Sequence, residues 1–140
     1  QLLRVYALAV NTELARYFSS ASQQVTKASK VFPLKPALEY ILDHYMEPCD
    51  TETLASLCHL SESRFYNLFS QHMKYTPIEY RNLLRAYEAG SLLRDTGLSV
   101  EEISSRLGFE SPEYFRRVFK KHYHSSPSAF RKTWMETPPE

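Results

Sequence analysis

Two short segments of this chain carry side chains that can form paired hydrogen bonds with the edges of nucleic-acid bases. Arginine can bind guanine through two parallel hydrogen bonds, asparagine can bind adenine in the same way, and glutamate can accept a hydrogen bond from cytosine. Lysine side chains and the first turns of helices more often bind phosphates. The residues concerned are Glu62, Ser63, Tyr66, Asn67 and Ser70, with Arg64 at the flank, and then Glu113, Arg116, Arg117 and Lys120. Such a set is typical of a protein that reads double-stranded DNA.

The two segments lie in two copies of one sequence pattern. The copies are Phe69 followed by Thr76-Pro77-Ile78-Glu79-Tyr80-Arg81, and Phe119 followed by Ser126-Pro127-Ser128-Ala129-Phe130-Arg131. Each predicts a short helix, a tight turn and a second helix, the helix-turn-helix arrangement whose second helix lies in the major groove. Ser61 and Ser111 are predicted to cap the second helices. Their inward faces are predicted to be Phe65, Leu68, Phe69 and His72, and Phe115, Val118, Phe119 and His122. A duplicated unit fits a ligand that itself repeats, as DNA does every turn.

The composition predicts an all-α fold. Only three glycines occur among 140 residues, no alternating apolar and polar run is sustained, and helix-favouring residues dominate. We expect about seven helices arranged as two helix-turn-helix subdomains, at about 52–71 and 100–121, joined by a long linking helix at 77–94. The remaining helices are expected from Pro36 to near Pro48 and from Pro127 to Trp134.

The first part of the chain is expected to lie outside this domain. An apolar stripe at steps of four and three predicts a helix at 1–18, and it consists of Leu3, Ala7, Val10, Leu14 and Tyr17. Residues 19–33 are small and polar, which is typical of a linker. Because the chain begins with Gln1 rather than Met, we interpret it as a fragment in which helix 1–18 remains from an upstream domain.

Charge is unevenly distributed along the chain, although the formal net charge is only +1. Residues 37–62 contain six acidic residues and no lysine or arginine, whereas residues 113–132 contain six lysines and arginines and one glutamate. This separation would orient the molecule on a polyphosphate. The acidic segment could equally be a solvated surface, or a docking face for RNA polymerase or another partner.

Other kinds of chemistry are not indicated. Cys58-His59 has no recognisable orienting acid, and adjacent helix positions point apart. His122-Tyr123-His124 has no third metal ligand nearby in the sequence. We therefore expect no enzyme activity, no metal and no cofactor. No apolar run has the length of a membrane span, and the absence of a secretion signal favours reduced cysteines in a cytoplasm.

Residues 34–140 resemble the DNA-binding domain of the AraC/XylS family of bacterial transcription regulators. The strongest match is carried by Val100-Glu101-Glu102-Ile103, Gly108-Phe109-Glu110, Tyr114-Phe115-Arg116-Arg117-Val118-Phe119-Lys120-Lys121 and Ser126-Pro127-x-x-Phe130-Arg131. The first half matches through Leu54-Ala55, Leu60-Ser61, Phe65, Phe69, Thr76-Pro77, Tyr80, Arg85, Ala89 and Leu92-Leu93.

The resemblance implies a sequence-specific regulator that inserts two recognition helices into successive major grooves of double-stranded DNA. Its base-reading positions would be Ser63, Tyr66, Asn67, Glu113, Arg116 and Arg117. We expect phosphate contacts from Arg64, Lys120, Lys121 and Arg131. An upstream domain would bind a small-molecule effector or form a homodimer, RNA polymerase would be a partner, and the protein would act on the nucleoid in a bacterial cytoplasm. The alternative is a protein-interaction module that keeps the fold and no longer binds DNA. Operator, effector, oligomeric state and the choice between activation and repression stay open.

Four residues depart from the family pattern. Lys74 and His124 stand where glycine is common after each recognition helix, so a left-handed turn there would be strained or replaced by another geometry. Asn67 stands where arginine is common, which argues against carrying over a guanine preference. Gly90 interrupts the linking helix and should cost about 1 kcal/mol relative to alanine, unless close packing needs it.

Overall fold

A computed structural model describes residues 32–136, and every regular element in this range is helical. A 3₁₀ turn at Phe32–Leu34 precedes seven α-helices. These are α1 (Lys35–His44), α2 (Thr51–Leu57), α3 (Glu62–Met73), α4 (Pro77–Asp95), α5 (Val100–Arg106), α6 (Pro112–Tyr123) and α7 (Pro127–Glu136). The prediction of an all-α fold with about seven helices is confirmed. The helix predicted at 1–18 and nearly all of the linker predicted at 19–33 lie outside the described residues.

The described chain divides into two compact units. Unit 1 comprises residues 32–43 and Cys49–Ile78, and unit 2 comprises His44–Pro48 and residues 79–136. Unit 1 therefore contains the helix pair α2 and α3, and unit 2 contains the pair α5 and α6 together with α7 and most of α4.

In unit 1, short polar contacts define the helix ends and apolar side chains fill the interior. The Asp50 carboxylate accepts a hydrogen bond from the Thr53 amide at 2.7 Å, and the Ser61 hydroxyl accepts one from the Arg64 amide at 3.3 Å. These two caps start α2 and α3. The rings of Phe65 and Phe69 lie 5.6 Å apart between centroids. The buried apolar residues of unit 1 include Leu34, Ala37, Ile41, Leu54, Ala55, Cys58, Phe65, Phe69 and Met73.

Unit 2 repeats this plan with a larger aromatic core. A capping box joins Ser99 and Glu102 at the start of α5, with bonds of 2.7 and 3.1 Å, and Ser111 caps α6. The ring of Phe119 packs edge-on against Phe115 and Phe130. The buried core consists of Ala86, Ala89, Leu93, Val100, Ile103, Leu107, Phe109, Phe115, Val118 and Phe119.

The inward faces of the recognition helices are confirmed only in part. All the aromatic positions predicted to face inward are buried, whereas Leu68, His72 and His122 are only half-buried. Met73, which the sequence pattern does not single out, is buried at 3% exposure. It lies four residues after Phe69 and therefore extends the same stripe.

Close packing at Gly90 accounts for the glycine in the middle of the linking helix. A Cβ atom at this position would lie 2.5 Å from the Tyr123 hydroxyl and 3.0 Å from its Cζ atom. The Tyr123 ring is itself stacked on Phe119 with centroids 4.4 Å apart. The missing side chain at Gly90 is thus what lets α6 pack closely against α4, and an alanine would require the tyrosine to move.

Buried Arg85 explains why α1 ends earlier than predicted. The side chain is 2% exposed, and its guanidinium donates hydrogen bonds to the carbonyls of Tyr45, Glu47 (3.2 Å) and Gly108 (2.9 Å). Burial lowers the pKa of Arg85 to about 10. Because these bonds hold the chain after α1 in a non-helical path, α1 stops at His44 rather than near Pro48.

Both recognition helices end in a left-handed turn without glycine. Lys74 has a φ of 62° and His124 a φ of 58°, and each amide bonds back to the carbonyl four residues earlier. Of the two outcomes expected for these positions, the structure has the strained left-handed cap rather than another geometry.

Candidate nucleic-acid interface

The recognition helix of unit 1, α3, separates its buried and polar sides cleanly. Phe65 and Phe69 face the core, while the three base-reading residues predicted here are all exposed. These three residues line one open, shallow depression together with two neighbours, Thr51 and Glu62. The set is Ser63, Tyr66 and Asn67. Its members therefore share a surface, on which hydroxyl and amide groups can approach a base edge.

In unit 2 the two adjacent arginines of α6 have different surroundings. The Arg116 guanidinium forms an ion pair with the Glu101 carboxylate of α5. The Arg117 guanidinium instead lies over the ring of Tyr114, 5.3 Å from its centroid. Glu113 is exposed in the first turn of the same helix. The structure thus brings the three predicted residues of this copy onto one helix, but it gives two of them protein contacts.

The four residues predicted to bind phosphates also differ. Arg64 and Lys120 are exposed, and Lys121 forms a 3.8 Å ion pair with Glu79 in which both side chains are exposed. Such a pair is weak and exchanges easily. Arg131 is half-buried and donates to the carbonyls of Leu93 (3.1 Å) and Thr96 (3.3 Å).

The contacts of Arg131 give it a role in the fold. Its two hydrogen bonds satisfy carbonyl groups in and just after the last turn of α4, which have no partner within the helix. Arg131 therefore caps the C-terminal end of α4 through two of its guanidinium nitrogens.

Glu101 and Tyr114 contact the two predicted base-reading arginines, and the sequence does not predict these contacts. Tyr114 lies three residues before Arg117, a spacing at which side chains on a helix meet, so a local signal exists. Glu101 and Arg116 lie on different helices, 15 residues apart. No local pattern predicts that ion pair.

The charge of the surface also differs between the units. The described residues of unit 1 include three lysines and arginines and five acidic residues. Those of unit 2 include ten lysines and arginines and nine acidic residues. Four of the basic residues of unit 2 lie on α6, and they are Arg116, Arg117, Lys120 and Lys121. Positive charge is thus concentrated on the recognition helix of unit 2.

None of the helices between residues 32 and 136 has the length and apolar character needed to cross a bilayer.

Two capped helix pairs, each with a polar second helix, define a double helix-turn-helix domain. Residues 54–133 match the family described as "Helix-turn-helix domain". The chain is similar to a solved structure titled "transcriptional regulator (AraC-type DNA-binding domain-containing proteins)" from Chromobacterium violaceum, with a TM-score of 0.67 and 26% identity, covering 76% of this chain and 95% of the other. Because the family match spans more than half of the sequence, the chain belongs to the AraC-type helix-turn-helix family.

Two further relatives have informative names. The DNA-binding domain of AdpA, solved in complex with a target DNA, matches with a TM-score of 0.70 and 31% identity over 77% of this chain and 97% of that domain. The "Lactose operon transcription activator" of Staphylococcus xylosus is 30% identical over 70% of this chain and 35% of its own length. The chain spans about a third of the length of the curated relatives that it matches.

Proposed function

We propose that this chain binds double-stranded DNA sequence-specifically as the DNA-binding part of a transcription regulator. The observation that carries the proposal is the repeated architecture. In each unit a serine cap starts a helix whose phenylalanines are buried and whose opposite side presents hydrogen-bonding groups to solvent. This is the arrangement by which a helix-turn-helix places its second helix in the major groove. Since the unit is duplicated, α3 and α6 are proposed to occupy successive major grooves.

The two recognition helices are proposed to divide the task of binding. In α3, Ser63, Tyr66 and Asn67 supply neutral groups, of which the Asn67 amide suits adenine. In α6, Glu113, Arg116 and Arg117 face the bases, and an arginine suits guanine. Arg64, Lys120 and Lys121 are the proposed phosphate contacts. Unit 2 would then provide most of the salt-dependent affinity, because its helix carries most of the positive charge.

The proposal extends to the longer protein. A regulator of this class would act in the bacterial cytoplasm with RNA polymerase as a partner, and an upstream domain would bind a small-molecule effector or form a homodimer. The name of the Staphylococcus relative supports activation as the output. All the acidic residues of segment 37–62 are exposed, which supports this segment as a docking face. No enzymatic role is part of the proposal.

The test is selection of bound duplexes from a random pool at two salt concentrations. We expect a recovered site with two half-sites about one helical turn apart, and an affinity that falls with salt by about 0.9 in logarithmic slope for each phosphate contact. Arg117→Ala should cost about 1–3 kcal/mol on that site and relax the preference at one base pair.

Lys132→Ala is the matched control for the loss of one positive charge in unit 2. Lys132 lies on α7 and is exposed beside Glu136 at 3.9 Å. Its replacement should leave the base preference unchanged. Recovery of no duplex above background by the folded protein would instead support the protein-interaction module.

A further inference from the structure

Tyr114 is held in place on two sides. Its hydroxyl accepts a hydrogen bond from the Asn82 side-chain amide at 2.7 Å, and its ring meets the buried Phe109 ring edge-on at 6.0 Å. Both partners belong to the interior of unit 2, since Asn82 is 5% exposed and Phe109 is 7% exposed. The tyrosine ring is therefore a fixed surface at the start of the recognition helix.

Asn82 has little freedom to release this contact. It lies on α4, and the oxygen of its amide is buried without a hydrogen-bond partner in the described part of the chain. The bond to Tyr114 therefore fixes the amide, and losing it would leave a second buried polar group unsatisfied. The rigid helix α4 is thereby connected to the ring on which Arg117 rests.

Arg117 gains orientation from this ring and keeps its donors available. The cation–π contact places the guanidinium over Tyr114, and no hydrogen bond of Arg117 is found within residues 32–136. Arg116 differs, because its guanidinium is already bonded to a carboxylate. A two-bond approach of Arg116 to a base would compete with Glu101 for one of its terminal nitrogens, whereas Arg117 can bind without losing a hydrogen bond.

We infer that Asn82 and Tyr114 are positioning residues that preorganise Arg117 for guanine, so that Arg117 rather than Arg116 is the guanine reader of unit 2. The inference rests on the proposed DNA binding and names the base contacted by one residue of that site. Holding a long side chain near its bound orientation reduces the conformational freedom lost on binding. It also favours the flat, two-bond approach that guanine requires.

The experiment measures discrimination between two duplexes. One is the selected duplex, and the other carries 7-deazaguanine, which lacks the N7 acceptor, at the guanine whose preference Arg117→Ala relaxes. The ratio of the two dissociation constants is the readout. Tyr114→Leu removes the ring and should reduce this ratio by about two- to fivefold, the range expected for an exposed cation–π contact. The double variant Tyr114→Leu/Arg117→Ala should discriminate no less than Arg117→Ala alone.

Controls separate positioning from a general loss of stability. Tyr87→Leu removes another aromatic of unit 2, one that contacts Tyr123 edge-on at 6.1 Å, and should leave the ratio unchanged. Tyr114→Phe keeps the ring and removes the hydroxyl, so its ratio should fall between those of the unaltered protein and Tyr114→Leu. If Tyr114→Leu does not fold, Tyr114→Phe decides, and an unchanged ratio overturns the inference.

Two further results would overturn the inference. One is an unchanged ratio in folded Tyr114→Leu, which includes equal weakening on both duplexes, and the other is an effect that adds to that of Arg117→Ala. A ratio that depends on Arg117 and not on Tyr114 rejects only the inference. Absence of any duplex binding by the folded protein rejects the proposed function instead.

Discussion

The two units share one scaffold and differ on the surface that the scaffold presents. In unit 1, Ser61, Phe65, Phe69 and Lys74 mark the cap, the core and the end of the recognition helix, and in unit 2 the residues 50 positions later do the same. Exposed positions have diverged, since Asn67 in unit 1 corresponds to Arg117 in unit 2. Packing constrains the buried set, whereas the solvent-facing set is free to specify a ligand.

Arg117 also has a brace that Asn67 lacks. The position of Tyr114 in unit 2 is occupied in unit 1 by Arg64, an exposed residue without a ring. Unit 2 therefore combines charge with a fixed orientation, and unit 1 offers neutral groups around a shallow depression. The difference favours a strong, guanine-directed contact from unit 2 and a weaker contact from unit 1 that contributes selectivity.

The turns between the paired helices differ more than the helices do. In unit 1 the turn residue His59 has a φ of 56° and is exposed. In unit 2 Gly108 has a φ of 83°, and a Cβ atom there would collide with the carbonyl oxygen of Met46. One turn tolerates a side chain, whereas the other is closed against the chain that follows α1.

The largest expected effect on stability tests the difference between these two turns. Gly108→Ala should lower the free energy of unfolding by about 2–4 kcal/mol, because left-handed strain adds to a backbone collision. His59→Ala should change it by less than about 0.5 kcal/mol, since the site is exposed and already lacks glycine. Urea unfolding measures both values, and hydrogen exchange should show lost protection in α5 and α6 for Gly108→Ala. Equal losses in the two variants would contradict this account of the turns.

A smaller effect sharpens the comparison at the helix ends. Lys74→Gly and His124→Gly should each raise the free energy of unfolding by about 1 kcal/mol, because glycine adopts the left-handed conformation without strain. Similar gains would show that the two caps are equivalent. Lys120→Gly, in the interior of α6, is the control and should lose about 1 kcal/mol. A gain at only one of the two caps would disprove their equivalence, as judged by unfolding midpoints.

The smallest effect concerns pH and the starts of α2 and α5. Hydrogen bonds from the Thr53 amide and side chain lower the pKa of Asp50 below its ordinary 3.8, and bonds from the Ser99 amide and side chain lower that of Glu102 below 4.5. A lowered folded-state pKa gives stability that is present above the ordinary value and lost as pH falls through the folded value.

Stability should therefore begin to fall near pH 4.5 through Glu102, and at lower pH through Asp50. Urea midpoints measured as a function of pH provide the test. Glu102→Gln should remove the part of the pH dependence that begins near pH 4.5. Asp50→Asn should remove the part at lower pH. A slope that neither variant alters would reject both caps as its source.

The sequence predicts the local features of this molecule well and its cross-chain contacts poorly. Serine caps and phenylalanine spacing depend on residues three or four apart, and the structure has the predicted caps at Ser61 and Ser111. Arg85 and Arg131 are different, because their guanidinium groups bond carbonyls 23 to 40 residues away. Their residue type alone favours a phosphate contact as readily as a buried cap.

The site itself was predictable to a similar degree. Helical periodicity places Asn67 and Arg117 on exposed faces, and both are exposed. It gives no information on the Asn82 bond to Tyr114, which spans 32 residues, or on the pairing of Arg116 with Glu101. These contacts depend on how helices pack within unit 2, and they decide which arginine is available to a ligand.

The connection between the paired helices is one residue longer in unit 2 than in unit 1. Four residues, Cys58 to Ser61, separate the end of α2 from the start of α3, whereas five, Leu107 to Ser111, separate the end of α5 from the start of α6. A recognition helix grafted from one copy into the other should therefore begin at its capping serine and leave the host connection intact. With that boundary, the exposed side chains of the grafted helix would keep their orientation about the helix axis. The domain is therefore a practical scaffold for engineering altered ligand preference.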